Sequence, residues 1–209
     1  MTGKLTSRGL MFGISAMVCA CTSAGSLSLE EFEGPIPEVV IHPPFAAEYA
    51  CTEHWAGQLL SLGDALGSDC FVTQVVSNEE GRAFSRSFAT DGRTNGDWFT
   101  WKVPVLAPFD GKVTRVSPRE DGENEPGFPG EPPAGFVVFE NSDGLRVLIA
   151  HVGSITVNVN DEIKAGEPFA VVANNGFSRS PHVHIGAWQG RTPHQIRFDL
   201  KAKAALRDR

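Results

Sequence analysis

The chain has 209 residues, with 25 acidic against 18 basic side chains and a formal net charge of −7. This length suffices for one domain with an ordinary hydrophobic core. No basic stripe with interleaved aromatic residues occurs, and the acidic balance argues against nucleic acid as a partner. The sequence therefore favours one folded domain with an acidic surface.

The N-terminus has the pattern of an export signal. Two basic residues precede a short apolar stretch, residues 10–20, which is too brief to span a bilayer. We therefore predict a signal peptide over residues 1–20 and an exported protein of the cell envelope or periplasm, with a mature net charge of −9 from 16 basic and 25 acidic side chains. Residues 18–21 resemble a bacterial lipoprotein cleavage box, which would leave Cys21 lipidated and anchored in a membrane. Ordinary signal cleavage is the alternative.

After the signal peptide, the sequence predicts a tether followed by a small cap. Residues 21–47 are polar and contain prolines, which predicts an irregular tether. Cys51 and Cys70 can pair in an oxidising compartment, and the disulfide would tie a short N-terminal cap with a short helix over residues 59–66. Two buried free thiols are the alternative. A cysteine metal site is weaker still, because only His54 lies nearby.

The remaining chain alternates short apolar runs with turn residues, which predicts an all-β domain over residues 48–200, cap included. Residues 117–135 contain five prolines and cannot form a regular strand. Residues 201–209 form a C-terminal tail with one or two predicted helical turns. Strands are predicted near residues 71–76, 82–90, 103–107, 111–117, 136–140, 145–150, 155–158, 168–173, 182–188 and 195–199.

Two histidines one residue apart, His182 and His184, form the most informative motif. On a strand, side chains at i and i+2 share a face. Both imidazoles can therefore converge on one point, as a metal site or a paired acid–base site requires. His151 closes another apolar run, residues 145–151. The alternatives are two solvated histidines on a surface strand and a purely structural His151.

Several segments around these histidines occur in the order of a known family. They are residues 105–113, 135–140, the strand that ends at His151, residues 157–166, and residues 174–178 followed by 181–184. Taken together, residues 103–188 resemble the lysostaphin/LytM-type zinc metallopeptidases, which cut peptide cross-links in bacterial peptidoglycan. The resemblance implies antiparallel sheets that form a groove, in the duplicated hybrid motif of the family. It also implies peptidoglycan peptides as the substrate class.

The resemblance further implies a role for each histidine. His184 would bind Zn²⁺, while His182 and His151 would orient or deprotonate a water molecule and stabilise the developing oxyanion. A zinc ion with three protein ligands keeps a fourth position for water and lowers the pKa of that water from ~15.7 towards ~7. An imidazole with an ordinary pKa of ~6.5 suits proton transfer near neutral pH.

One family motif is not preserved in this chain. The family takes its other two zinc ligands from a His-x-x-x-Asp motif upstream of an Ala-Pro-x-Asp-Gly hairpin. Here Ala83 and Ser87 occupy the two positions in one alignment, and Arg93 and Asp97 occupy them in the other. Neither Ala nor Arg can donate a lone pair to zinc. Asp97 and Asp91 are therefore the carboxylates predicted as substitute ligands, and ordinary loop residues are the alternative.

Three classes of function follow from the sequence. The first is an exported zinc endopeptidase acting on peptidoglycan, and the second is a catalytically inactive LytM-like module that binds the wall or regulates a wall hydrolase. The third is a carrier-type sandwich, because glycine-bounded strands such as residues 164–172 also occur in lipoyl- and phosphate-carrier domains. That third class lacks a lysine at a suitable hairpin tip. Retention of three histidines favours the enzyme, because a binding module has no evident need for them.

Overall fold

The computed structural model describes residues 26–119 and 122–207, so the predicted signal peptide and Cys21 lie outside the described residues. Within these ranges the helices are α1 (Leu200–Arg207) and short 3-10 turns at Leu29–Phe32 and Asn95–Asp97. No helix in this part of the chain is both long and apolar enough to cross a bilayer. The described strands are β1 (Glu38–Ile41), β2 (Tyr49–Glu53), β3 (Ser68–Val72), β4 (Gln74–Ser77), β5 (Ala83–Arg86), β6 (Pro104–Leu106), β7 (Gly111–Ser117), β8 (Phe136–Glu140), β9 (Leu145–Ala150), β10 (Val152–Gly153), β11 (Glu162–Ile163), β12 (Pro168–Val172), β13 (Val183–Gln189) and β14 (Thr192–Phe198).

The main sheet runs in the order β1-β14-β13-β9-β8-β7-β11, with antiparallel neighbours throughout except for the parallel pair of β1 and β14. Strand β13 is central, because its second half pairs with β14 and its first half pairs with β3. This branch brings the β2–β3 hairpin beside the start of β13. A second sheet has the order β10-β12-β6, and β4 pairs with β5 alone. The all-β prediction with antiparallel sheets is confirmed.

The hydrophobic core lies between the main sheet and the three-stranded sheet. Strand β9 alternates buried and less buried side chains, as expected for a strand with one face on a core. Phe139 of β8 and Phe169 of β12 are fully buried and pack edge to face with 4.8 Å between ring centroids. Burying apolar surface of this kind contributes about 25 cal/mol per Å², and the contact joins the two sheets.

A loop crosses β13 at very short range next to its start. An added Cβ on Gly186 would lie 1.7 Å from the carbonyl oxygen of Gly63, and one on Gly67 would lie 2.8 Å from Cε1 of His184. Only glycine permits this approach, because real Cβ atoms do not come within 3.0 Å of other heavy atoms. The segment between β2 and β3 therefore lies directly against the histidine-bearing strand.

The structure differs from the sequence-based prediction in several segments, of which three are the clearest. The tether predicted for residues 21–47 is irregular only in part, because the β-branched run in β1 adds a strand to the sheet and Phe45 is buried in the core. Residues 59–66 form turns instead of a helix, since Leu66 has φ +56°, outside the helical region. Residues 155–158 are irregular instead of a strand. The predicted C-terminal helical turns are present as α1.

The predicted disulfide is present, since Cys51 and Cys70 are bonded and lie directly opposite each other in β2 and β3. Their separation is 19 residues. In the loop-entropy model, closing a loop of about this size stabilises the fold by roughly 3 kcal/mol. The disulfide therefore ties the hairpin that lies beside β13.

Replacing both cysteines with alanine is expected to lower the free energy of unfolding by roughly 3 kcal/mol, because the unfolded chain regains the entropy of the open loop. Urea unfolding of the oxidised protein and of the Cys51→Ala/Cys70→Ala variant measures the difference. A reductant should shift the wild type towards the variant and leave the variant unchanged. Equal unfolding midpoints for the two oxidised proteins would contradict the prediction.

Candidate metal and catalytic site

The disulfide-tied hairpin supplies two side chains of the site. Asp69 on β3 is paired in register with Thr52 on one side and with His184 of β13 on the other. His54 directly follows β2, and its backbone N–H donates to the Gly67 carbonyl at 2.8 Å. Strand pairing therefore brings His54 and His184 to Asp69 from opposite sides.

His54, Asp69 and His184 form a compact donor set. One ligand atom from each residue lies within 4.8 Å of the other two, and no other such group of three occurs among residues 26–119 and 122–207. Nε2 of His54 lies 3.2 Å from Oδ2 of Asp69, and Nδ1 of His184 lies 2.9 Å from Oδ1. Two imidazole nitrogens and one carboxylate are a donor set of catalytic zinc sites, which keep a fourth position open. The donor chemistry therefore fits the zinc ion that the resemblance implies.

Two carboxylates flank the imidazole of His184. Besides the contact of Asp69 at Nδ1, Oδ1 of Asp64 lies 3.3 Å from Nε2, although without the alignment of a hydrogen bond. Burial opposes a charged ring here, but the two carboxylates outweigh it and raise the pKa of His184 to about 9. Burial likewise opposes the ionised form of Asp69, yet the histidines around it hold the pKa of its carboxyl well below the ordinary value. Asp69 is therefore an ionised carboxylate, as a metal ligand must be.

His151 and His182 stand beside this donor set. The ring centroids of His151 and His182 are 4.6 Å apart, and those of His151 and His184 are 6.5 Å apart. His151 has φ +61°, a backbone conformation that is sparsely populated by non-glycine residues and is common at functional sites. His182 stacks on Phe71 with 5.2 Å between centroids. The structure thus brings together the three histidines singled out in the sequence.

Hydrogen bonds determine which nitrogen carries the proton in both rings. Nδ1 of His151 lies 2.8 Å from the carbonyl oxygen of Asn175, and Nδ1 of His182 lies 2.7 Å from that of Ser180. A carbonyl oxygen only accepts, so Nδ1 must donate in each case. In the neutral rings the lone pair is therefore on Nε2, and Nε2 of His182 lies 3.7 Å from Oδ1 of Asp69.

Burial keeps these two rings neutral. It lowers the pKa of His151 to about 3, with the neighbouring His182 and His184 adding to the effect. Burial also lowers the pKa of His182, against the opposing pull of the Asp69 carboxylate. Near neutral pH both rings are therefore uncharged, and their Nε2 atoms are available as hydrogen-bond acceptors.

Buried amides hold the loop that precedes His182. The side-chain oxygen of Asn175 accepts a hydrogen bond from the backbone N–H of Gly135, and its backbone carbonyl accepts one from Nδ1–H of His151. Asn124, in the proline-rich loop, donates through its side chain to the carbonyls of Gly176 and Ser178, both at 2.9 Å. The proline-rich loop therefore supports the segment that positions the catalytic candidates.

The site opens into a groove of about 690 Å³. Leu59 and Phe71 form part of its wall, and Phe177 and Arg179 are exposed at its edge. The exposed fraction of the His184 side chain is 7%, against 27% for Asp69. The donor set therefore lies at the floor of the groove with one side facing solvent.

Asp91 and Asp97, the predicted substitute ligands, are not part of the donor set. The carboxylate of Asp97 accepts hydrogen bonds from Thr90 and Thr94 and terminates a 3-10 turn. Asp91 is exposed and pairs with Arg93 at 3.2 Å. Both carboxylates perform the turn-stabilising role that is ordinary for aspartate, whereas His54 and Asp69 are the residues that lie beside His184.

Sequence reasoning missed His54, Asp69 and Asp64, because they are 15 or fewer residues apart but follow no known ligand spacing. The available signal was the cysteine pair. If Cys51 and Cys70 lie opposite each other on antiparallel strands, the residue next to Cys70 and the residues just beyond Cys51 must also lie close together.

In protein freed of metal by a chelator, thermal stability is expected to peak near the ordinary histidine pKa of ~6.5. The folded-state pKa of His184, about 9, exceeds its unfolded value, so its stabilising effect is complete below pH ~6.5 and is lost as the pH rises through about 9. The folded-state pKa of His151, about 3, is below its unfolded value, so stability falls as the pH drops from ~6.5 towards about 3. Melting temperatures measured across this pH range report the loss of stability on the acidic side and on the alkaline side.

In the variant His184→Ala, the melting temperature should no longer fall between pH ~6.5 and about 9. The matched control His194→Ala, on β14, should keep this fall. A wild-type melting temperature that stays constant between pH ~6.5 and about 9 would contradict the prediction.

A His–Asp–His donor set beside two neutral histidines is chemically suited to a metal ion and an activated water. Residues 97–196, just under half of the chain, match the model of peptidase family M23. Residues 97–196 are therefore similar to peptidase family M23, which agrees with the resemblance found in the sequence. The donors His54 and Asp69 lie upstream of the matched residues.

Several individual proteins are similar to parts of the chain. An uncharacterized metalloprotease of Haemophilus influenzae is 27% identical over 82 residues, which cover 39% of this chain and only 15% of the relative. The catalytic domain of lysostaphin from Staphylococcus simulans is similar at 16% identity, with 74% of this chain and 86% of that chain covered and a TM-score of 0.39. The deep-sea M23 metalloprotease pseudoalterin is similar at 15% identity, with 74% and 73% covered and a TM-score of 0.46.

Proposed function

We propose that this protein is an exported zinc endopeptidase that cleaves peptide cross-links of peptidoglycan. The observation that supports the proposal is the convergence of the His54–Asp69–His184 donor set with His151 and His182 in one groove. A binding module needs neither a metal donor set nor neutral histidines beside it. The geometry therefore favours hydrolysis.

The ligands would be Nε2 of His54, the carboxylate of Asp69 and Nδ1 of His184. Zinc bound there supplies an activated water and polarises the scissile carbonyl. Asp64 beside Nε2 of His184 favours a proton on that nitrogen, which leaves the lone pair of Nδ1 for the metal. Asp64 is thus a positioning residue for the ligand.

His182 is the proposed general base. Its Nδ1–H is held by the Ser180 carbonyl, so Nε2 accepts the proton of the attacking water and later gives it to the leaving amine. The His151 ring lies beside that of His182, with 4.6 Å between centroids and with its Nδ1–H held by the Asn175 carbonyl. As a neutral ring, His151 offers Nε2 as a hydrogen-bond acceptor that orients the attacking water.

Export to the cell envelope and a lipid anchor at Cys21 belong to the same proposal. They are supported by the N-terminal sequence pattern. The Cys51–Cys70 disulfide adds support, because disulfides persist in oxidising compartments outside the cytosol.

The competing proposal is an inactive LytM-like module that binds the wall or regulates a wall hydrolase. The observation that favours it is the missing His-x-x-x-Asp motif, with Ala83 and Ser87 or Arg93 and Asp97 at its positions. The donors His54 and Asp69 offset this loss from a different part of the chain.

Incubation of the mature protein with purified peptidoglycan sacculi tests the two proposals. The endopeptidase should contain about one zinc ion per chain after dialysis and release new amino groups. A chelator should stop the release, and added zinc should restore it. Protein without metal that binds sacculi but releases no amino groups would replace the endopeptidase with the binding module.

A further inference from the structure

Arg179 differs from every other arginine in the described ranges, because within those ranges its side chain has no hydrogen bond, ion pair or ring contact. The others contact carboxylates, carbonyl oxygens or aromatic rings, and they are Arg82, Arg86, Arg93, Arg115, Arg119, Arg146, Arg191, Arg197 and Arg207. Its guanidinium is therefore not held by a carboxylate, a carbonyl oxygen or a ring among the residues that the structure describes.

Arg179 lies at the groove that contains the candidate catalytic residues. The other permanently charged side chains that line this groove are Asp64 and Asp69, and both face His184. Arg179 is therefore the cation of the groove that remains available to a bound molecule.

The backbone around Arg179 is held firmly. Its carbonyl accepts from the N–H of Gly127 at 2.8 Å, and the preceding Ser178 is buried with its hydroxyl bonded to Asn174. Because the base of the side chain is fixed, less conformational entropy is lost when the guanidinium orders on a ligand. Phe177, 69% exposed, adds apolar surface next to it.

We propose that Arg179 is a specificity-determining residue that binds a carboxylate of the peptide substrate. The groove would then select stem peptides with free carboxylates over uncharged glycine bridges. A guanidinium presents a planar fork of N–H donors that matches a carboxylate at two points, which an ammonium group does not. The inference rests on the proposed function, because it names the substrate class of the same groove.

The test measures binding without requiring turnover. The probe is the wall-type tetrapeptide L-Ala-D-Glu-L-Lys-D-Ala, joined through the γ-carboxyl of D-Glu, with both carboxylates either free or amidated. Titration calorimetry on the zinc-loaded mature protein with His182→Ala gives both affinities. We expect about tenfold or greater preference for the free carboxylates, in line with a charge-assisted bidentate pair.

Arg179→Gln should abolish this preference with little change in the affinity for the amidated peptide, and Arg179→Lys should keep only part of it. Arg82→Gln, which removes one positive charge from the exposed β4–β5 connection, should retain the full preference. Because Arg179 has no partner in the fold, its variants should unfold at the wild-type temperature.

Equal affinity of the starting protein for the two peptides would overturn the inference. So would an Arg179→Gln variant that keeps the preference or loses affinity for both peptides alike. An Arg179-dependent preference in the His182→Ala protein, together with a zinc-loaded protein with His182 intact that does not cleave sacculi, would support the inference and overturn the endopeptidase proposal instead.

Discussion

Changing Asp69 to alanine is expected to remove zinc from the protein, with a loss of affinity greater than about a hundredfold. Removing a group that only orients a metal ligand already costs ~10–100-fold, and Asp69 is the carboxylate shared by His54 and His184. Asp69→Asn keeps the shape and removes the charge, so it should also lose most of the metal. Elemental analysis after dialysis against a weak chelator measures the effect.

Asp97→Ala is the matched control for this experiment. Asp97 is an aspartate of the sequence-predicted site, but its carboxylate is bonded to Thr90 and Thr94. The control should retain zinc at the wild-type level. Loss of zinc in Asp97→Ala and retention in Asp69→Ala would reject the donor set described here and restore the ligands predicted from the sequence.

Changing His182 to alanine is expected to leave zinc bound and to lower kcat/KM by about a hundredfold or more, the usual effect of removing a general base. Its Nε2 faces the donor set with the lone pair free, while its Nδ1 proton is held by Ser180. Zinc content and release of amino groups from sacculi are measured on the same sample.

The variant His194→Ala, on β14, controls for the general loss of a histidine and should retain both zinc and activity. If His182→Ala loses zinc together with activity, His182 is a ligand and the assignment of a general base is wrong. Unchanged turnover would instead assign the proton transfer to His151.

The fold was predictable where local pattern and tertiary environment agree. Strands β8 and β9 lie at the predicted residues, because apolar residues there recur with strand periodicity between turn residues. Strands β10 and β11 have two residues each, which is too short for any periodicity. Strand β1 was not predicted, because the prolines on both sides of Val39, Val40 and Ile41 indicate an irregular segment. Pairing with β14 stabilises the strand in the folded protein.

The sequence predicted the three histidines of the candidate site, but it did not predict the other two members of the donor set. His151, His182 and His184 follow the strand ends and spacing of a known family, so a linear motif is sufficient to find them. His54 and Asp69 are isolated in the sequence and become neighbours through the β2–β3 register. Asp64 reaches His184 only because Gly63 and Gly186 allow the loop to approach β13.

The sequence by itself therefore determined the all-β class, the disulfide partners and the histidines of the groove, because each depends on residue type and on local spacing. The tertiary structure decided the other two proposed metal ligands and, among the described arginines, which one has no contact with another side chain or carbonyl. Strand register and disulfide pairing place distant residues side by side, and a carboxylate becomes a metal donor or a turn cap according to which atoms surround it. For Asp69 those atoms are two imidazoles, and for Asp97 they are two threonine hydroxyls.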